Sequence, residues 1–253
     1  MNDLGELRDL LVREGQAALD RPMEPMTSWV DRAGYWLVGD LEHYPHAFLF
    51  GCLMDRQIPA ERAWAIPAIL RERLGTFEVG ELVKLDEEAW KAVMRQPPPP
   101  HRLTDVMAVV LHRATQRLLT HYQLDASRVW SDTPSSATLI RRFLEFHGAG
   151  PKIATMAANI LARDFRVPIR DFRYIDISAD VQVQRVMARL GYVEEGSSPE
   201  VVIYAARDLN PDYPGIFDVA LWEIGRTVCR PTAPLCSECR LARYCSYATA
   251  QGL

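Results

Sequence analysis

Phe146-His147-Gly148-Ala149-Gly150-Pro151-Lys152-Ile153-Ala154 joins two stretches with apolar residues at helical spacing, Ser136–Phe146 and Ile153–Ala162. Gly148 can take the positive φ that ends the first helix. Gly150 lets the backbone approach a partner closely. Pro151 suits the first position of the second helix, where its missing N–H has no partner to lose. The pattern predicts a helix, a tight turn and a second helix whose free N-terminal N–H groups can bind a phosphate. A plain helix–helix connection follows the same local rules.

Lys152 sharpens the reading. The chain has 26 Arg but only three Lys: Lys84, Lys91 and Lys152. Where only charge is wanted, this chain uses arginine. A lysine at the turn suggests that an amine is wanted, because an amine can shed its proton and attack carbon.

Outward from the hairpin, helical periodicity continues at Leu4–Leu19, Ala47–Met54, Ala60–Leu74, Glu87–Met94 and Leu103–Tyr122. It returns at Val181–Leu190, Pro199–Leu209 and Ile216–Val228. Pro, Gly and Asp punctuate the joints. Pro97–Pro100 reads as a stiff loop. Stretches of β character such as Phe172–Ile177 are too few for a sheet. The class is all-α, with about ten helices. With 48% hydrophobic and 25% charged residues over 253 positions, the composition is that of an ordinary globular protein of one large domain or two lobes. No apolar run reaches the roughly 18 residues of a membrane span.

Four of the five cysteines crowd together near the end: Cys229, Cys236, Cys239 and Cys245, spaced C-x6-C-x2-C-x5-C. Cys52, far upstream, reads as a buried thiol. The chain begins Met1-Asn2-Asp3-Leu4 without a basic-then-apolar signal pattern, so a reducing, cytoplasmic setting is expected and disulfides are not. A tetrathiolate zinc site usually pairs two tight knuckles, and here only one C-x2-C is tight. A single loop around a larger object, a [4Fe–4S] cluster, fits the spacing better.

The net charge of −4 conceals an uneven distribution. Residues 101–170 carry 10 Lys/Arg against 5 Asp/Glu, while residues 1–100 carry 11 against 17 and residues 171–253 carry 8 against 11. Contact with DNA needs a local positive surface, not a basic average.

The hairpin, the cysteine loop and their order resemble the endonuclease III branch of the helix-hairpin-helix DNA glycosylases. The matching residues are Gly148 to Lys152; Asp180, opening the segment that ends Arg185-Val186-Met187-Ala188-Arg189-Leu190; the four cysteines; and Ala220–Cys229 leading into them. Leu53-Met54-Asp55-Arg56-Gln57 resembles the family's turn with a DNA-wedging glutamine.

The resemblance implies two α-helical lobes, one over residues 45–168 with the hairpin, the other joining 1–44 to 169–253 and the cluster. It implies base-excision repair by a monomer that flips a damaged nucleotide out of double-stranded DNA. Lys152 would attack C1′ and then break the strand as an abasic-site lyase, across a cleft from Asp180, which would stabilise the sugar's positive charge or activate the attacking group as the base leaves; Asp176 is a second candidate. Gln57 would fill the gap left by the flipped base. Gly148, Gly150, Arg226 and Arg230, with Arg240 or Arg243, would meet DNA, and the four cysteines would hold the cluster. Oxidised pyrimidines are the expected substrates. A monofunctional glycosylase for alkylated or mismatched bases, or a catalytically weak DNA-binding paralogue, shares this scaffold.

The chain also departs from the family pattern. The 28-residue spacing from Lys152 to Asp180 is longer than usual, with the excess at about Arg170–Ser178. His147 replaces a proline, Gln182 replaces the usual His or Asn, and Gln96–Leu103 stands where the family has a Gly-Leu-Tyr-type loop.

Overall fold

The structure is a computed structural model and describes residues 4–21 and 32–252. Its α-helices are α1 (Leu4–Asp20), α2 (Arg32–Gly39), α3 (Pro45–Met54), α4 (Ala60–Leu74), α5 (Val79–Leu82), α6 (Glu87–Arg95), α7 (Thr104–Tyr122), α8 (Ser136–Leu144), α9 (Pro151–Arg163), α10 (Val181–Leu190), α11 (Pro199–Leu209), α12 (Asp218–Thr227) and α13 (Ser246–Ala250). Short 3-10 turns fill several joints, and no strand occurs among the described residues. The all-α class is as expected. None of the described helices is long and apolar enough to cross a membrane.

The chain divides into two compact units, Met1–Pro22 with Asp171–Leu253, and Met23–Arg170. The sequence placed residues 1–44 with the cysteine loop. Instead α2 packs on α3 and α4, and its Leu37 and Val38 are fully buried, so it belongs to the hairpin unit.

That unit is organised around α3, all ten of whose residues are buried. The helix has no polar face, so every side must be covered; α2, α4, α7 and α9 all pack against it. Its one strongly polar side chain, His46, is satisfied by a 2.7 Å hydrogen bond from Nε2 to the Phe77 carbonyl. Gly51 permits the close approach of α4: a Cβ there would lie 2.7 Å from the Trp64 ring. Because α3 is gripped on all sides, whatever follows its C-terminus is rigidly placed. That is Asp55-Arg56-Gln57.

In the other unit, α1, α10, α11, α12 and α13 enclose an apolar core that includes Leu7, Leu11, Val183, Met187, Leu221 and Ile224. α10 and α12 meet across Gly225, where a Cβ would lie 2.7 Å from the Gln182 Cβ. The periodic run Ile216–Val228 is split: Pro214–Phe217 is a 3-10 turn and the α-helix begins at Asp218.

Candidate functional site

The hairpin forms as the sequence predicts, and its two glycines differ in kind. Gly148 has φ +90, and a Cβ there would lie 2.9 Å from Val110 Cγ2. Backbone and packing both require glycine. Gly150 caps α9 with φ −102 and ψ 178, open to any residue, and a Cβ there would meet nothing within 4 Å. The fold leaves room at Gly150. Around the turn the charge is positive. Arg113 Nη1 donates to His147 Nδ1 at 3.1 Å. Burial and the charges of Arg113 and Arg56 push His147 below the ordinary histidine value.

Lys152 lies in the first turn of α9 with its side chain 32% exposed. Its Nζ donates to Asp55 Oδ2 at 2.5 Å and to Met156 Sδ at 3.7 Å. Asp55 is the C-cap of α3, and its side chain is only 11% exposed. The sequence reading quoted Asp55 only as part of the glutamine turn. Its partner is 97 residues away, and no local pattern could have found it.

Gln57, two residues on, is exposed and has φ 56, an uncommon conformation for a side chain this large. The turn is braced from below. Buried His101 accepts the Leu103 N–H on Nδ1 at 2.9 Å, which assigns its proton to Nε2, donating to the Arg56 carbonyl at 3.1 Å. The proline loop that carries His101 is tied to α4. Arg62 donates to the Pro99 and Pro100 carbonyls at 2.6 and 2.7 Å, and Arg73 to the Pro98 carbonyl at 2.6 Å. The loop thus supports the Gln57 turn.

In the other unit, Asp180 is the N-cap of α10. Its Oδ1 accepts from the Gln182 and Val183 N–H groups at 2.8 and 2.9 Å. Asp176 forms a two-point ion pair with Arg207, at 2.7 and 2.8 Å, which commits it to α11. Buried Asp218 accepts from Ser178 N and Oγ, both at 2.5 Å. The stretch 170–178 is anchored by Phe172 edge-on to Tyr213 and by Gly215 N–H donating to the Ile175 carbonyl at 3.0 Å. It leaves Tyr174 69% exposed; Val181, beside Asp180, is equally exposed.

The four cysteines of the loop border one small apolar cavity with Val228, Ala242, Tyr247 and Ala248. All are free thiols. Burial pushes the Cys239 and Cys245 thiols up, and the neighbouring sulfurs add to the shift. No three or more His, Cys, Asp or Glu side chains among the described residues are grouped to hold a single metal ion. The donor set is purely sulfur within apolar walls, and a guanidinium stands beside it. Arg189 Nη1 donates to Cys229 Sγ at 3.3 Å and to the Arg230 carbonyl at 2.7 Å, while its Nη2 donates to the Pro231 carbonyl at 3.0 Å. Arg185 donates to the Cys229 and Gly225 carbonyls at 2.8 and 2.7 Å. These arginines clasp α10 to the start of the loop, a role the sequence did not reveal. Four sulfur donors in an apolar setting suit a thiophilic metal centre, and the Arg189 guanidinium beside Cys229 offsets part of the negative charge that four bound thiolates would bring.

The arginines expected at DNA are placed unequally. Arg230 is exposed on the loop. Arg226 is half-buried, stacked 4.9 Å over Trp222, and burial lowers its pKa. Arg240 is ion-paired with Glu14 at 2.5 Å, and Arg243 lies on the Tyr244 ring.

No family model matches the chain. It is 31% identical over 114 residues to Endonuclease III of Thermotoga maritima, an alignment covering 45% of this chain and 48% of that protein, about half its length. Three solved structures share the fold. A non-covalent Endonuclease III–DNA complex aligns with TM-score 0.66 and 18% identity over 100% of this chain and 99% of that one. A trapped Endonuclease III–DNA covalent intermediate aligns with TM-score 0.65 and 17% identity over 98% and 99%. A thermostable thymine-DNA glycosylase aligns with TM-score 0.62 and 16% identity over 96% and 97%.

Proposed function

We propose that this chain, a helix-hairpin-helix protein with the fold of the endonuclease III family, is a base-excision DNA glycosylase with abasic-site lyase activity, acting as a cytoplasmic monomer on oxidised pyrimidines. The observation that carries the reading is the Lys152 amine. It stands at a glycine-bounded bend on the first turn of a helix, in contact with the Asp55 carboxylate, whose side chain is 11% exposed.

The chemistry follows from that pair. As an ammonium, Lys152 cannot attack carbon. Transfer of one proton from Nζ to Asp55 Oδ2 frees the lone pair. The amine then bonds to C1′ while the C1′–base bond breaks and the base departs with that electron pair and a proton from water. The C1′–O4′ bond then breaks, with its electron pair and one proton from Nζ going to O4′, which leaves an iminium between Nζ and C1′. Water takes the C2′ proton, a C2′–C3′ double bond forms, and the C3′–O bond breaks with its electron pair leaving on the 3′ phosphate, which cuts the strand. Asp180, held by its cap bonds, supplies the negative charge that steadies the sugar as the base leaves.

Phosphates meet the hairpin at Gly148, Gly150 and the N-terminus of α9, with Arg226 and Arg230 as further contacts. Gln57, on its braced turn, occupies the space of the extruded base. Cys229, Cys236, Cys239 and Cys245 hold a [4Fe–4S] cluster, which when bound organises the loop. The exposed Tyr174 of the 170–178 stretch borders the base and narrows what is accepted.

A second reading has its own support. The same Asp55 contact that would accept the proton also restrains the amine by a hydrogen bond. If that hold persists on DNA, the enzyme is monofunctional and water attacks in place of Lys152. The test is a panel of duplexes, each with one lesion (thymine glycol, dihydrouracil, uracil, alkylated adenine or an abasic site), incubated with and without sodium borohydride. Trapping of a covalent adduct on the oxidised pyrimidines and the abasic site is expected. Base removal without trapping favours the monofunctional reading, and no base removal sinks both.

A further inference from the structure

Asp180 can steady a developing cation only if its carboxylate is held at a fixed point. Its cap bonds hold the side chain to α10, but the backbone leading into it, Ile175–Ala179, belongs to no helix. A group outside α10 must hold that approach.

We propose that Asp218 is a positioning residue for Asp180, acting through Ser178. This rests on the reading of Asp180 as the charge-stabilising carboxylate. Asp218 is the first residue of α12 and is 6% exposed. Its Oδ1 accepts two hydrogen bonds at 2.5 Å from Ser178, one from the backbone N–H and one from the hydroxyl. Ser178 is 7% exposed, and its carbonyl accepts the Asp180 N–H at 2.6 Å. One buried carboxylate therefore grips the residue that grips the backbone of Asp180.

The surroundings argue for a specific purpose. Ile177, Ala179, Phe217 and Leu221 are all buried. Placing a carboxylate there is costly unless its charge is met by hydrogen bonds and a helix N-terminus, as at Asp218. An apolar residue would fill the core without that cost. What the carboxylate adds is direction: two donors from one residue lock both the backbone and the side chain of Ser178. The other end is equally firm, since α12 packs on α10 where Gly225 meets Gln182. Asp180 is thus fixed from α10 through its side chain and from α12 through its backbone.

The experiment uses the full chain as Asp218→Ala, Asp218→Asn and Ser178→Ala. Four quantities are read: single-turnover base removal, duplex affinity, thermal midpoint, and hydrogen exchange of the Gln182 and Val183 amides that Asp180 caps. For Asp218→Ala we expect about a tenfold slower chemical step with affinity within about twofold, and faster exchange at both amides. Asp218→Asn keeps an acceptor oxygen and restores most of the rate. If Asp218→Ala does not fold, Ser178→Ala carries the test, with a smaller loss of rate, again without loss of affinity. An unchanged rate and unchanged exchange overturn the proposal. So do equal losses in Ala and Asn that merely track the thermal midpoint. Should the wild-type chain remove no base at all, the glycosylase reading fails by itself. Exchange at Gln182 and Val183 then decides the positioning, and unchanged exchange in the variants overturns it.

Discussion

Lys152 and Asp55 share a 2.5 Å hydrogen bond within one unit, from the first turn of one helix to the end of another. The acid can serve as the acceptor of the proton that the amine must lose. Asp55→Asn keeps a hydrogen-bond acceptor but removes the base. Borohydride trapping on an abasic-site duplex is expected to slow by about tenfold or more at pH 7. Faster trapping at pH 7 would mean that Asp55 only restrains the amine. Lys152→Gln should abolish trapping altogether.

The two hairpin glycines should separate stability from binding. Gly148→Ala forces a left-handed backbone on a residue with a Cβ and presses Val110. A loss of about 1–2 kcal/mol in urea unfolding is expected. Gly150→Ala meets open space at an ordinary φ. Its stability should stay within about 0.5 kcal/mol, while affinity for duplex DNA falls because the added methyl stands where a phosphate would lie.

His101 makes the brace under Gln57 sensitive to pH. Burial holds it below its ordinary value of 6.5, and the nearby Arg62 and Arg56 charges act in the same direction, against the raising effect of its backbone acceptors. Between the folded value and 6.5 the unfolded chain binds the proton more readily. The stabilisation is therefore complete above pH 6.5 and lost as pH falls through the folded value. His46, lowered chiefly by burial, adds a change of the same sign. Urea midpoints at pH 7.5 and 5.0 should differ more in the wild type than in His101→Gln. An NMR titration of His101 with a midpoint above 6.5 would refute the assignment.

The cysteine loop makes a prediction in metal content. Protein purified without oxygen should be brown and carry about four irons per chain, and Cys239→Ser should lose colour and iron. Arg189→Ala removes bonds to one sulfur and two loop carbonyls. A loss of about 1–2 kcal/mol and faster bleaching by chelator are expected. Exposed Arg230→Ala should leave stability within about 0.5 kcal/mol.

Much of this was readable from one dimension. The bounds of Ala60–Leu74, Val181–Leu190 and Pro199–Leu209 were read to the residue from apolar spacing and flanking Pro, Asp or Gly. The hairpin, the Asp180 cap and the grouping of four cysteines were legible for the same reason: each is settled by chemistry within about one helical turn or one loop. Eight-residue α2 went unread because packing on α3 and α4, not periodicity, supports so short a helix.

What the linear chain withheld are the partners. Asp55 meets Lys152 across 97 residues, Asp218 meets Ser178 across 40, and Arg189 reaches carbonyls 41 and 42 positions away. Side chains so far apart become neighbours only after helices have stacked and buried their apolar faces. Residue types and spacing therefore name the amine and the thiols, while the packing of whole helices chooses the carboxylates and guanidiniums that stand beside them.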